Sequence, residues 1–235
     1  MDVKEESILG PEIETHWYYV SKGRALLALL GDIRAREVLD VGAGSGIFAR
    51  QLLEADVCGQ ATCVDPAYSN SSVKVVNGRE LRFTRTIDRP SQDLILMMDV
   101  LEHVPDDVAL LRQYTASLSV DGHVAITVPA FPALWSGHDV FLEHYRRYTR
   151  PSLEAVVRAA GLEVVQSRYF FGLLLPMAAV TRLLAPGRHQ ERSALRKCHP
   201  ILNRGLIWLH DVERRLIFPY NSLGGLSLFC LARPG

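Results

Sequence analysis

The stretch Val38-Leu39-Asp40-Val41-Gly42-Ala43-Gly44-Ser45-Gly46 decides the reading of this chain: an apolar run holding one acid, then three glycines at alternate positions. Val38 to Val41 reads as a buried strand, and Ile47 to Ala55, with Phe48, Leu52 and Leu53, as a helix that starts where the glycines stop. Without β-carbons at Gly42 and Gly44, a ligand can lie against the backbone, and positive φ is freely available. The first N–H groups of the helix open into the same space. A dinucleotide fingerprint needs glycine at the first, third and sixth positions. The sixth position from Gly42 is Ile47, which weakens a pyrophosphate reading.

The order Asp-x-Gly-x-Gly-x-Gly resembles the first motif of the class I S-adenosylmethionine-dependent methyltransferases. Ala61-Thr62-Cys63-Val64-Asp65 reads as the next strand and puts a carboxylate at its carboxyl end, where it can accept both hydroxyls of a ribose. The resemblance implies S-adenosyl-L-methionine as cofactor, with Asp40, Gly42, Ala43, Gly44, Asp65 and Pro66 around it.

Further on, Asp93 to Met98 is a nearly unbroken apolar strand, as expected when helices cover both faces. It runs into Asp99-Val100-Leu101-Glu102-His103-Val104, which resembles the fourth motif of a subgroup that includes the ubiquinone-pathway O-methyltransferases. Ligands of open α/β sheets sit outside the carboxyl ends of the strands. Asp99 and Val100 are therefore expected at the cofactor, and His103 beside the sulfonium as a candidate proton acceptor. In the ubiquinone enzymes similar acids with a histidine are associated with a divalent metal. Here Asp99 stands where a further glutamate would help, and the sequence assigns no metal.

The implied fold is α/β: a Rossmann-like, seven-stranded, mostly parallel sheet with the last strand antiparallel, helices on both faces, an extra N-terminal helix and a C-terminal helical insertion. One domain over 1–235 is expected, with a lid helix at 12–31, the core at 36–171, the helical insertion at 172–220 and the last strand at 223–233.

Composition agrees with one globular domain. The 235 residues are 48% apolar, enough for a full core. Lys plus Arg and Asp plus Glu are 26 each, so no basic excess argues for nucleic acid and no acidic excess for a solvating tail. Cys58, Cys63, Cys198 and Cys230 lack metal-site spacing, and Met1 to Glu6 carries no apolar signal core; both suit a reducing cytoplasm.

Ile13, Trp17, Val20, Leu27 and Leu30 recur at helical spacing between Pro11 and Gly31. In class I methyltransferases a helix here often covers the cofactor, which makes His16 and Tyr19 candidate substrate contacts; an aromatic helix packed on the sheet is the plainer alternative. Pro66 to Ser72 is turn-rich where related folds carry a helix, and Val73–Val76 and Leu81–Thr84 are both strand candidates. Pro105, Asp106 and Asp107 suit a helix start, continued by Val104, Val108, Leu111, Tyr114 and Leu118. Gly122 to Pro129 reads as the fifth strand.

Residues 130–148 pack histidines, acids, arginines and aromatics into one insertion at a strand end, where function tends to sit. His138 with Asp139 is a candidate general base, since imidazole titrates near ~6.5. Trp135, His144, Tyr145 and Arg147 are candidate acceptor contacts, because guanidinium offers forked donors to planar anions. The same residues read equally as a polar network that fixes the loop. His138, Asp139 and His144 lack a recognised metal spacing.

Thr149 to Ser152 opens a helix through Leu153, Val156, Val157 and Ala160, and Leu162 to Phe171 is the sixth strand. Gly172 to Ala185 is apolar but shorter than the ~20 residues that span a bilayer. Arg188 to Arg196 reads as a linker, and Leu202, Leu206, Leu209, Val212 and Leu216 mark a helix over His199 to Phe218. The two helices suit a roof over the cleft, a homodimer contact or a membrane surface. Leu226 to Ala232 is the last strand.

The expected function is transfer of a methyl group from S-adenosylmethionine to a small-molecule acceptor, anionic, aromatic or lipid-like. Two others stay open: a non-methylating enzyme of this fold that releases methylthioadenosine by intramolecular attack, and a catalytically silent binding module.

Overall fold

The computed structural model describes residues 5, 8–87, 92–183, 193 and 195–235. The reading of Met1–Glu6 and of the Arg188–Arg196 linker lies largely outside them. Eight strands form one sheet: β1 (Ala35–Val41), β2 (Cys58–Val64), β3 (Ser72–Val76), β4 (Arg79–Thr84), β5 (Gln92–Met98), β6 (Leu118–Pro129), β7 (Leu162–Phe170) and β8 (Ser227–Pro234). Their order is β3-β4-β2-β1-β5-β6-β8-β7. β1 lies parallel between β2 and β5, and β8 is antiparallel to both β6 and β7.

Successive side chains of a strand point to opposite faces, and here both faces are dry. Val38, Leu94 and Leu96 belong to one apolar core with Leu26, Ala49 and Leu52. Leu39, Ile95 and Met97 belong to the other, with Leu111, Leu153 and Val157. Helices α1 (Trp17–Leu30) and α2 (Ile47–Glu54) cover the first face; α3 (Asp107–Thr115) and α5 (Arg150–Ala159) cover the second. Two-sided burial is why β5 reads as an unbroken apolar run. The remaining helices are α4 (Gly137–Phe141), α6 (Leu175–Leu183) and α7 (Pro200–Leu216). Among the described residues no helix is long and apolar enough to cross a membrane.

Four expectations change. The strand count is eight, not seven, because both candidates after Asp65 form and pair antiparallel as β3 and β4. Asn77 and Gly78 join them with φ of 50° and 78°, the left-handed pair that a tight two-residue hairpin requires. The N-terminal helix starts at Trp17 rather than Ile13, since His16 is extended (φ −67°, ψ 133°) and caps it; Gly10–Glu14 is a separate 3-10 turn. Pro105 lies ahead of α3 rather than in its first turn, while Asp106 and Asp107 do sit at its start: Asp106 is the cap, its carboxylate accepting from the Ala109 N–H at 2.9 Å. Leu118 opens β6 instead of ending that helix.

Candidate functional site

The glycine turn is built as its sequence requires. Gly42, Gly44 and Gly46 have φ of 64°, 51° and 74°. An added β-carbon at Gly46 would meet the Phe83 ring at 2.7 Å. Gly42 N–H donates to the Val64 carbonyl at 2.7 Å, which ties the turn to the end of β2. Asp65 closes the same knot: one oxygen accepts from Gly44 N–H at 3.0 Å and the other from Ala67 N–H at 2.9 Å. Tyr68 hydroxyl donates to the Gly44 carbonyl at 2.6 Å.

A cleft opens at the carboxyl ends of β1, β5 and β6. Its lining includes Asp40, Gly42 and Ala43 at the end of β1, Met98, Asp99 and His103 at the end of β5, and His138, His144 and Arg147 after β6, with β5 lying between β1 and β6 in the sheet. Of the cofactor candidates, Asp40, Gly42, Ala43 and Asp99 line the cleft, while Gly44, Asp65, Pro66 and Val100 do not. Asp40 is 1% exposed.

Asp99 and Phe171, both lining the cleft, have φ of 56° and 60° without being glycine, and sparsely populated backbone regions concentrate at functional sites. Lys22, fully buried on α1, pairs with the Asp99 carboxylate. Tyr18 hydroxyl and Thr127 hydroxyl donate to the same group at 3.3 and 3.1 Å. Burial opposes the charge of Asp99, but Lys22, with the Thr127 hydroxyl and His144, outweighs it and holds the carboxyl below its ordinary range. Sequence reasoning missed Lys22. The signal was a lysine on the same α1 face as Leu26 and Leu29, where an unpaired charge would be costly.

Residues 130–148 form a closed loop. Phe131 N–H and Tyr148 N–H donate to the Tyr148 and Pro129 carbonyls at 2.8 and 2.9 Å, so its ends meet. Asp139, fully buried, holds the interior: it accepts from Ser136 N–H (2.8 Å), Ser136 Oγ (3.0 Å), His144 Nδ1 (3.0 Å) and Arg147 Nε (2.6 Å). Burial works against its charge, yet those donors keep the carboxyl well below the usual carboxylate range. Asp139 does not line the cleft. Arg146 ties the loop to Asp107 at 3.2 Å and to the Val104 and Pro105 carbonyls, and Tyr145 N–H donates to the Glu102 carbonyl at 2.7 Å.

Of the acceptor candidates, Tyr19, His144 and Arg147 line the cleft; His16, Trp135 and Tyr145 do not. Both ring nitrogens of His16 serve the backbone, one accepting from Tyr18 N–H at 3.4 Å and one against the Arg196 carbonyl at 3.0 Å. Trp135 and Tyr145 are exposed. His138 lines the cleft with Glu5 at 3.9 Å, and burial lowers its pKa to about 4, so the imidazole is neutral at pH 7. Arg182 of α6, also unanticipated, reaches the cleft; burial and Arg147 lower its pKa to about 10, which leaves it charged.

Glu102 is fully buried, and neither carboxylate oxygen accepts a hydrogen bond among the described residues. Burial, reinforced by Asp99, pushes its pKa well above the ordinary value. Ligand atoms of Glu102, His103 and His144 all lie within 4.8 Å of one another. An orphaned acid beside two imidazoles, one of them oriented by a carboxylate, fits a divalent cation. Neither ligand set weighed from sequence is this one; it takes two members from the motif after β5 and one from the 130–148 loop.

Comparisons with known proteins agree with the geometry. A ubiquinone biosynthesis O-methyltransferase of Yersinia enterocolitica is 31% identical over 110 residues, 42% of this chain and 45% of that relative. One of Yersinia pestis is 25% identical over 204 residues, 79% of this chain and 69% of that protein. The chain thus spans under half of the first relative's length. Burkholderia thailandensis 1,6-didemethyltoxoflavin-N1-methyltransferase, solved with bound 1,6-didemethyltoxoflavin and S-adenosylhomocysteine, shares the fold at a TM-score of 0.57 and 19% identity, over 99% of this chain and 84% of that one. Residues 15–167 match a family described as a methyltransferase domain, and the chain belongs to that family, the class I S-adenosylmethionine-dependent methyltransferases.

Proposed function

We propose that this protein methylates a small-molecule acceptor held between the glycine turn and the 130–148 loop. The observation that carries the reading is one cleft lined both by Asp40, Gly42 and Ala43 of the glycine turn and by three histidines, His103, His138 and His144. When bound, S-adenosylmethionine supplies an activated methyl carbon. The chain then has to align a nucleophile at ~3–3.5 Å and in line, and take up its proton if it has one.

Asp40, Gly42, Ala43 and Asp99 hold the cofactor in this reading, and Asp65 acts through Gly44 by bracing the turn. His138, neutral at pH 7, or His103 accepts the proton. Asp139 is a positioning residue, orienting His144 and Arg147 from outside the cleft. The α1 helix serves as the lid through Tyr18 and Tyr19. Arg147 and Arg182 favour an anionic acceptor. The test is incubation with S-adenosylmethionine and a panel of anionic, aromatic and lipid-like hydroxyl and amine compounds. S-adenosylhomocysteine as product supports the reading; methylthioadenosine, or no turnover with any of them, contradicts it.

The unpartnered Glu102 favours a second element. Glu102, His103 and His144 would hold a divalent cation, which supplies positive charge beside the acceptor and favours its deprotonated form. His144→Ala is expected to weaken Mn²⁺ binding at least about tenfold by titration calorimetry. Unchanged Mn²⁺ affinity in that variant removes the cation from the site.

A further inference from the structure

Helix α7 is amphipathic with the wrong side out. Its inner face carries His210 and Glu213, both fully buried and paired with each other at 2.9 Å, and Glu213 also accepts from Gly172 N–H at 2.6 Å. His210 stacks on Trp17, while Asn203 receives the Trp17 N–H at 2.8 Å and donates to the Thr15 carbonyl at 2.9 Å. Polar anchors therefore dock this helix on the start of α1.

Residues 201, 205, 208, 212 and 216 follow steps of four and three, so they share one stripe of the helix. Three of its members face outward, Ile201, Trp208 and Leu216 at 75%, 68% and 70% exposed, with Leu202 beside them at 58%; between them Val212 is half-buried and position 205 is glycine. Removing such side chains from water is favourable in proportion to their apolar area. An exposed apolar face on a helix that already satisfies its polar side needs an occupant.

Charge selects the occupant. Arg204 and Arg215 are exposed, lie on the same border of the stripe as Trp208, and form no ion pair among the described residues. The acid on that border, Asp211, is already answered by Arg24 and by Arg214 at 3.3 Å. The margin is thus cationic with no available carboxylate. A second copy meeting this face would oppose the same arginines with nothing to neutralise them. An anionic lipid leaflet supplies the phosphates, and apolar residues with tryptophan and arginine at the border are the pattern of a helix lying in a membrane interface.

We propose that α7 docks the protein on an anionic membrane surface, with Ile201, Leu202, Trp208 and Leu216 inserted at the headgroup level and Arg204 and Arg215 against lipid phosphates. This assignment is independent of the methyl acceptor. Flotation of the full chain with phosphatidylcholine vesicles, with and without phosphatidylglycerol, tests it. The protein is expected to float with the phosphatidylglycerol vesicles only. Trp208→Ser with Ile201→Ser should abolish flotation, and Arg204→Gln with Arg215→Gln should weaken it about fivefold per charge removed. These positions are exposed, so the thermal midpoint and S-adenosylhomocysteine affinity of the variants should match those of the parent. Failure to float, or equal flotation with phosphatidylcholine alone, overturns the proposal. So does a dimer in sedimentation equilibrium that Trp208→Ser dissociates without any vesicle binding.

Discussion

Two regions around the cleft are built by different means. At the glycine turn, three glycines in left-handed conformation make the bend, and its partners lie in the adjoining strand end and loop of β2. In the 130–148 loop, proposed above to meet the acceptor, one buried carboxylate gathers Ser136, His144 and Arg147, and the loop it holds is bolted to the segment after β5 about forty residues earlier in the chain. A turn made by backbone conformation tolerates change in its surroundings but not in its own residues. A loop made by buried charge depends on a single side chain.

The largest effect should therefore follow Asp139→Ala, which leaves Arg147 and His144 buried without their carboxylate. A loss of about 3–5 kcal/mol in urea unfolding is expected, while S-adenosylhomocysteine affinity of the folded fraction changes little. Loss of affinity in step with stability would show that the two regions are one unit. Gly46→Ala strikes the glycine turn. Its φ of 74° and the Phe83 ring at 2.7 Å should cost about 1–3 kcal/mol and, unlike Asp139→Ala, lower S-adenosylhomocysteine affinity in calorimetry.

A smaller effect is expected from pH. His138 has a folded pKa of about 4 against an ordinary 6.5, so between these values the unfolded chain binds the proton and the folded chain does not. Its contribution is that stability is intact above 6.5 and declines as pH falls toward 4. His138→Gln should flatten that slope in urea titrations at successive pH values; an unaltered slope would assign it to other groups. Tyr145→Ala, outside the cleft and 60% exposed, should change neither stability by more than about 0.5 kcal/mol nor cofactor affinity.

This contrast also explains what the sequence discloses. The glycine turn with Asp40 is one short stretch and Asp65 closes the next strand, so the family resemblance can be carried by their spacing. The strand and helix order follows largely from apolar periodicity, whereas the arrangement of strands in the sheet is legible only through the family resemblance. Lys22 with Asp99 joins positions far apart in the chain, and His16 caps α1 with help from the Arg196 carbonyl; no local pattern signals either. Leu202, Leu209 and Leu216 mark a helix correctly, yet periodicity gives a helix one apolar face without saying where that face looks. In α7 the buried polar pair His210 and Glu213 turns it outward. Within 130–148, chemistry-rich residues divide into those that line the cleft and those that hold the loop only once the chain is folded.

The most direct measurement is a crystal structure of the protein soaked with S-adenosylhomocysteine. Density for the nucleoside along Gly42 and Ala43, with its sulfur toward Asp99 and the histidines, is the expected result. A vacant cleft under saturating ligand, or the nucleoside bound away from the glycine turn, would contradict the account.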